Sequence, residues 1–298
     1  MMLELIAPAK LNLALEVLSR RLDGYHEIVS VLQTIDVADR VRLTEARDIE
    51  ISVMGEQTLN VPLEGPRNFA YRAAVALREA AERLGLGCSI ELEKGIPAGT
   101  GLGGGSSDAA TVLRGLNRLW DLNLGMKALE GIASRIGSDV PFFLHGGTAL
   151  ARGRGEHVEA LPDSGATEFT LFVSPVEIED KTRRMYSMLT PADFTTGHRV
   201  EVAAETLRRG MPLSETDYVN AFDRHIGEIV PPIGRAFAYC RDAGLAAFTV
   251  GSGPGFFSPV SLRDIRPGVL KHIEQEYDVT ALACRSLSRG EATAIKQR

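Results

Sequence analysis

Residues 99–110 read GTGLGGGSSDAA, with five glycines in the first seven positions, then two serines, an aspartate and two alanines. Ordering glycine costs more backbone entropy than ordering any other residue. So dense a run is kept where bare backbone must turn tightly or approach a ligand. The run ends in a helical pattern. Ala109, Val112, Leu113, Leu116, Leu119 and Trp120 recur at three- and four-residue spacing, which predicts an amphipathic helix over 106–120.

Three readings compete for the loop. A P-loop closes on Lys followed by Ser or Thr; here Ser106 follows Gly105 and the loop has no lysine. A dinucleotide fingerprint matches literally at Gly99, Gly101 and Gly104. Its context is wrong, however. The preceding strand SIELE (89–93) alternates with charges, whereas a central parallel strand is apolar throughout. The acidic residue expected ~20 positions on would be Asp121, at the end of a helix. The third reading is an anion cradle. Successive glycines turn several N–H groups into one concavity, the helix start adds unsatisfied amides and its positive end, and Ser106 and Ser107 add hydroxyls. A triphosphate suits that chemistry. The plain alternative is a tight strand-to-helix turn with Ser106 or Ser107 as N-cap and Asp108 favoured by the dipole. Such a turn needs one or two glycines, not five.

The chain has 298 residues, a soft prior for about two domains. Three scattered cysteines (Cys88, Cys240, Cys284) argue against a disulfide framework or zinc cluster. They read as buried structural thiols in a reducing, cytoplasmic setting. The net charge of −6 and pI near 5.6 disfavour nucleic acid and anionic membranes as partners. No apolar run is long enough to span a bilayer, and the N-terminus does not read as a signal peptide. Nothing selects an oligomeric state.

Residues 3–17 begin irregularly at Pro8 and then alternate, with Leu11, Leu13, Leu15 and Val17 on one face and Lys10, Asn12, Ala14 and Glu16 on the other. DGYH (23–26) reads as a turn. Strands are expected at 28–36, 40–44 and 49–54, and helices at 68–84 and 126–136. Pro141 should hold Val140 extended in SDVPFFL. GGTALARGRGEHVEALP then reads as a connecting passage. Beyond it come a strand (168–174), a helix (181–189), a polar stretch, helices near 217–229 and 232–243, strands at 245–250 and 255–260, a helix near 266–276 and a strand at 278–286. Without the extra helix this is β-α-β-β-α-β, a ferredoxin-like sandwich. The whole is α+β rather than alternating α/β.

PAGTGLGGGSSDAA resembles the phosphate loop of the GHMP small-molecule kinases. PAKLNLALEVLSRRLDGYHEI and GSDVPFFLHGG lie in that family's order and spacing. They resemble the branch that phosphorylates a cytidine diphosphate-linked methylerythritol in non-mevalonate isoprenoid synthesis. The resemblance implies a two-domain fold: an N-terminal ATP-binding and catalytic domain over 1–157, like ribosomal protein S5 domain 2, and a ferredoxin-like substrate domain over 158–298. It implies ATP as co-substrate, with Mg2+ expected beside it and no metal ligand named.

The resemblance also assigns roles. Asp139 matches the catalytic aspartate and Lys10 the catalytic lysine. Taken alone, they would read as a loop aspartate and a solvated strand lysine. Asn12 would hold the substrate or the aspartate. Tyr25 would stack on the cytosine and His26 hydrogen-bond to it. Tyr186 falls near a second cytosine-stacking aromatic, although EIEDKTRRMY departs from the family's small-and-hydroxyl pattern there and helix core is the alternative. Pro97, Gly101, Leu102, Gly103, Gly104, Gly105, Ser106 and Ser107 would wrap ATP. Asn68 and Lys94 fall where the family contacts adenine; the alternatives are a helix N-cap and an exposed strand-end lysine. In GSGPGFF (251–257), Gly255 stands where the family usually has Ser or Thr. Two other functions are weighed: a relative acting on another alcohol, such as mevalonate or homoserine, and a catalytically silent nucleotide-binding regulator, which need not keep both Lys10 and Asp139.

Overall fold

The N-terminal half is organised by two long antiparallel strands, β1 (Met2–Arg20) and β2 (His26–Ala46), joined through the expected turn. The computed structural model describes residues 1–55, 65–163, 165–174 and 180–297. The expected break between 36 and 40 is a bulge instead. The register shifts between Pro8 and Ala9, so that Pro8 faces Ala38 and Ala9 faces Ile35, and β2 runs straight through. There follow β3 (Ile49–Met54), α1 (Phe69–Ala80), β4 (Gly87–Glu93), α2 (Gly104–Leu119), α3 (Met126–Ile136), α4 (Val140–His145), β5 (Thr148–Gly153) and β6 (His157–Ala160).

Two expectations are corrected here. Val140 is not extended: it opens α4, with Pro141 in the first turn, where its missing N–H costs nothing. Burial of Val140, Phe142 and Phe143 in the core outweighs the local bias of a residue before proline. The glycine- and charge-rich passage is not a connector but the β5–β6 hairpin, with β5 antiparallel to β2. The expected division at 157/158 falls at the start of β6.

The second half holds β7 (Glu168–Val173), α5 (Lys181–Met188), α6 (His198–Arg208), β8 (Val219–Asn220), α7 (Ile226–Ile229), α8 (Pro231–Asp242), β9 (Phe248–Thr249), β10 (Phe256–Ser258), α9 (Pro267–Tyr277), β11 (Thr280–Arg285), α10 (Arg289–Ala292) and β12 (Ile295–Gln297). The polar stretch therefore contains a helix, α6, whose Val200, Ala203, Ala204 and Leu207 are buried at helical spacing. The helix expected near 217–229 is mostly the two-residue strand β8, a turn and the short α7.

One sheet runs β12-β1-β2-β4-β3, extended by β5 and β6 on β2 and by β8 parallel to β1. The other runs β11-β7-β10-β9, all antiparallel. Its first and third strands lie side by side in the centre, the split β-α-β-β-α-β arrangement that was expected. Helices α1 to α4 cover one face of the large sheet through Leu5, Leu43, Leu113 and Phe142. The small sheet is apolar on both faces. Phe169, Leu171 and Phe257 pack against Leu11, Val31 and α6, while Phe172 and Phe256 pack against α8 and α9. That is the period of two expected of a strand buried on both sides. All three cysteines are buried and burial pushes each thiol up to about 12, so they are inert structural thiols. Among the described residues no helix is long and apolar enough to cross a membrane.

Candidate active site

The glycine loop runs from the end of β4 into α2 and borders a cavity of about 240 Å³. Asn68, Lys94, Pro97, Gly101, Leu102, Gly103, Gly104 and Gly105 all line it. Gly99, Gly101 and Gly103 have positive φ, the alternation that turns successive amides to one side. Gly103 needs its freedom twice over: φ is +80°, and a Cβ would lie 2.9 Å from the Phe143 ring. Helix α2 starts two residues earlier than expected, with Gly103 as N-cap and no side chain capping it. The serines are therefore not caps. Ser107 is buried and donates to the Pro8 carbonyl at 2.6 Å, while Ser106 lies beside Gly137. The first-turn amides of Gly104 and Gly105, which a helix leaves without internal acceptors, border the cavity.

Asn68 is a helix N-cap and also faces the cavity. Its side chain accepts from the Ala70 amide at 2.9 Å as the N-cap of α1, and it lines the cavity. Lys94 is no exposed strand-end lysine. It is 5% exposed, and its ammonium is bound between Asp39 and Asp108. Asp39 also accepts from the Gly95 and Ile96 amides at 2.7 and 2.8 Å, pinning the strand that leads into the loop. Burial opposes the Lys94 charge, but the two carboxylates outweigh it and hold its pKa above the ordinary value. Asp108 is pushed up, by burial first and by Asp39, against the pull of Lys94. Asp39 and Asp108 were missed as loop supports. Their signal is only visible in space, because β2, the residue following β4, and α2 each contribute one member.

Lys10 is 4% exposed, so the strand face opposite the leucines is not solvated. Gly103, the N-cap of α2, lies between the Lys10 stem and the Phe143 ring of α4. The Lys10 ammonium lies 4.0 Å from the Asp139 carboxylate and donates to Asn12 Oδ1. Burial lowers the Lys10 pKa and Asp139 partly restores it. Asp139 sits at the N-cap of α4 without capping it and stays 38% exposed, so its carboxylate is open to a ligand.

Of the residues expected to receive the cytosine, Tyr186 lies near Asp139 and His26 packs on Tyr186. His26 is buried and packs 5.0 Å from Tyr186, which in turn packs 4.9 Å from Phe222. Tyr186 therefore has a core contact on one side and His26 on the other. Burial, then the nearby Asp139 charge, raises its pKa. Burial, then Arg20, lowers that of His26, which keeps the ring neutral and able to donate and accept near pH 7. Tyr25 is half exposed, with the Arg154 guanidinium 4.8 Å over its ring. Residues 177–179 of the departing EIEDKTRRMY stretch lie outside the described residues.

The GSGPGFF hairpin closes over the pair. A Cβ on Gly251 would lie 2.8 Å from Lys10 Nζ and 3.1 Å from Asn12 Oδ1. Gly255 donates its amide to the Thr100 carbonyl at 3.2 Å, and a Cβ there would come within 3.1 Å of that oxygen. The hairpin meets the glycine loop at this point, and a side chain at 255 would crowd the Thr100 carbonyl there. A larger cavity of about 720 Å³, bordered by Arg199, Tyr218, Arg224 and Arg241, contains none of these residues. Its arginines are engaged within the protein: Arg241 with Asp223, Arg224 with Asp193, and Arg199 with the Thr216 and Tyr218 carbonyls.

Residues 68–147 match the family model described as the GHMP kinases N terminal domain. The 4-diphosphocytidyl-2-C-methyl-D-erythritol kinase of Bacillus cytotoxicus is 38% identical over 291 residues, 94% of this chain and 96% of the relative. That of Bacillus licheniformis is 53% identical over 161 residues; this stretch covers 52% of the chain and about half of the relative (54%). A crystal structure of 4-(cytidine 5'-diphospho)-2C-methyl-D-erythritol kinase superposes with a TM-score of 0.73 at 34% identity, covering 95% of this chain and 98% of that one. Homoserine kinase from Cytophaga hutchinsonii superposes at 0.71 with 17% identity, covering 99% and 96%, a likeness of fold alone.

Proposed function

The chain belongs to the 4-diphosphocytidyl-2-C-methyl-D-erythritol kinases of the GHMP family, and on that premise we propose how its residues carry the reaction. It transfers the γ-phosphate of ATP to a hydroxyl of the erythritol moiety of 4-diphosphocytidyl-2-C-methyl-D-erythritol, forming the 2-phosphate in the non-mevalonate isoprenoid pathway. Residues 1–157 supply the ATP loop and the catalytic pair, and residues 158–298 close the substrate side.

The observation that carries the mechanism is the Lys10–Asp139 pair, 4.0 Å apart and next to the glycine-lined cavity. Phosphoryl transfer passes through a loose transition state, so positioning and charge stabilisation do most of the work. Asp139 accepts the proton of the attacking hydroxyl. Lys10 keeps that carboxylate ionised and offsets the charge that develops between donor and acceptor oxygens. The loop amides hold the triphosphate. Asn12 holds Lys10, while Tyr25, His26 and Tyr186 receive the cytosine. Among the described residues no group of three His, Cys, Asp or Glu side chains could hold a metal. Magnesium would accompany the triphosphate and neutralise part of its charge; no step is assigned to it.

ADP release measured with ATP and magnesium tests the reading. Turnover is expected with the cytidylyl substrate and not with mevalonate or homoserine. ATP binding without turnover of any of the three would favour a silent nucleotide-binding relative.

A further inference from the structure

Ser30 lies inside β2, is fully buried and does not border the nucleotide cavity. Its Oγ accepts from Asn12 Nδ2 at 2.8 Å and donates to the Ala14 carbonyl at 2.7 Å. On the other side, Asn12 Oδ1 accepts from the Lys10 ammonium. An ammonium has three donors and no acceptor. Only the oxygen of the Asn12 amide can face it, so the amide nitrogen must face Ser30. A hydroxyl that accepts from that nitrogen must send its own proton elsewhere, and the Ala14 carbonyl takes it. The donors thus run one way, from Lys10 to Asn12 to Ser30 to Ala14.

Backbone geometry sets this chain up. β1 shifts register between Asn12 and Ala14, pairing Asn12 with Leu32 and Leu15 with Ser30. Ser30 is then the diagonal neighbour of Asn12 on the same sheet face. Gly251 closes the far side, leaving no room for a Cβ beside Lys10 Nζ and Asn12 Oδ1. The ammonium is confined between a hairpin backbone and an amide whose orientation Ser30 decides.

We propose that Ser30 is a positioning residue for phosphoryl transfer: by fixing the orientation of the Asn12 amide, it holds the charged Lys10 ammonium against Asp139. This rests on the roles given above to Lys10 and Asp139. The titratable group facing that ammonium is Asp139 from the start of α4; Tyr186 from α5 lies near Asp139, and His26 from β2 packs against Tyr186.

The test follows the Lys10 ammonium by NMR in the full-length, substrate-free protein labelled with 15N-lysine, the signal being assigned by its loss in Lys10→Arg. Ser30→Ala frees the amide to turn. It is expected to lower the Lys10 titration midpoint by about one pH unit, a tenfold change in the deprotonation constant. The alkaline limb of the kcat profile moves with it, while KM for ATP is unchanged. Ser30→Thr keeps the hydroxyl and is expected to restore both. Ser30→Cys, with a weaker donor and acceptor, shifts the midpoint part of the way and serves if the alanine variant does not fold. An unmoved midpoint overturns the proposal. So does a double variant in which the kcat losses of Ser30→Ala and Asn12→Ala simply multiply, because residues acting through one chain are not additive. The midpoint needs no substrate, so a wild-type protein that turns nothing over would overturn the functional reading and leave this measurement standing.

Discussion

The chemistry of this protein rests on two side chains that each carry a cost. Lys10 is a nearly buried ammonium with one carboxylate 4.0 Å away. Asp139 is a carboxylate at a helix start that caps nothing. Asp139→Asn removes the proton acceptor and keeps the shape. It is expected to lower kcat by about 10²–10⁴-fold with KM for ATP unchanged; steady-state kinetics would show near-normal turnover if the base were elsewhere. The lowered pKa of Lys10, caused by burial against the pull of Asp139, gives a pH prediction. The charged form acts on the phosphoryl group, so kcat should fall as pH rises through a value below the ordinary 10.5. Folding linkage has the opposite sign: between that value and 10.5 the unfolded chain holds more protons, so stability from this group rises with pH. A pH–rate profile whose alkaline limb lies at or above 10.5 would refute the assignment. Tyr25 is half exposed, so Tyr25→Ala should raise KM for the cytidylyl substrate and barely move the melting temperature.

At the scale of elements, the glycine loop depends on what holds its two ends. The β4 end is tied by Asp39 to Gly95, Ile96 and Lys94, and the α2 end by Lys94 to Asp108. Removing one partner of a buried ion pair leaves a charge in low dielectric and costs about 3–5 kcal/mol. Asp39→Ala is expected to lose stability on that scale in urea titrations and to raise KM for ATP. A stable variant with normal KM would mean that the loop needs no such anchor. The α4 end of the site is held differently. Arg114, whose pKa burial lowers to about 10, donates to the Phe143 carbonyl, and the Phe143 ring lies against Gly103. One turn of α4 thereby joins the helix layer to the loop.

At the scale of the molecule, the two sheets share a core. Leu11 and Val31 of the large sheet, Phe169 and Phe257 of the small one, and Val200 of α6 pack in one cluster. The chain also returns from the second half to pair β8 and β12 with β1. A two-domain description of the sequence therefore does not imply two unfolding units. Phe257→Ala should cost about 3–5 kcal/mol. The fluorescence of Trp120, the single tryptophan and part of the helix-side core, should shift to lower denaturant together with the far-UV signal. Two separated transitions would show that the halves fold independently.

Much of this was legible in local pattern. The glycine run, the Asn68 cap, the helix beginning near Pro267 and the order of elements in the small sheet follow from turn chemistry, capping and periodicity, which neighbouring residues impose on one another. Helix α6 was legible too, since Val200, Ala203, Ala204 and Leu207 are spaced for it, but its polar surroundings masked the stripe. Other features were out of reach. Alternation in β1 puts Lys10 on a polar face, and nothing local says that α2 and α4 will cover it. Pro141 argues locally against a helix at Val140, and only core packing reverses that. The sequence alone determined the local conformations and the resemblance that named the chemistry. The tertiary structure decided that Lys10, Asn12, Ser30, Asp139 and Gly251 meet, and that Lys94 is shared by two carboxylates. The physical reason is that periodicity records which face a residue occupies. What that face touches, and so whether a charge is solvated, paired or confined, depends on elements far away in the chain.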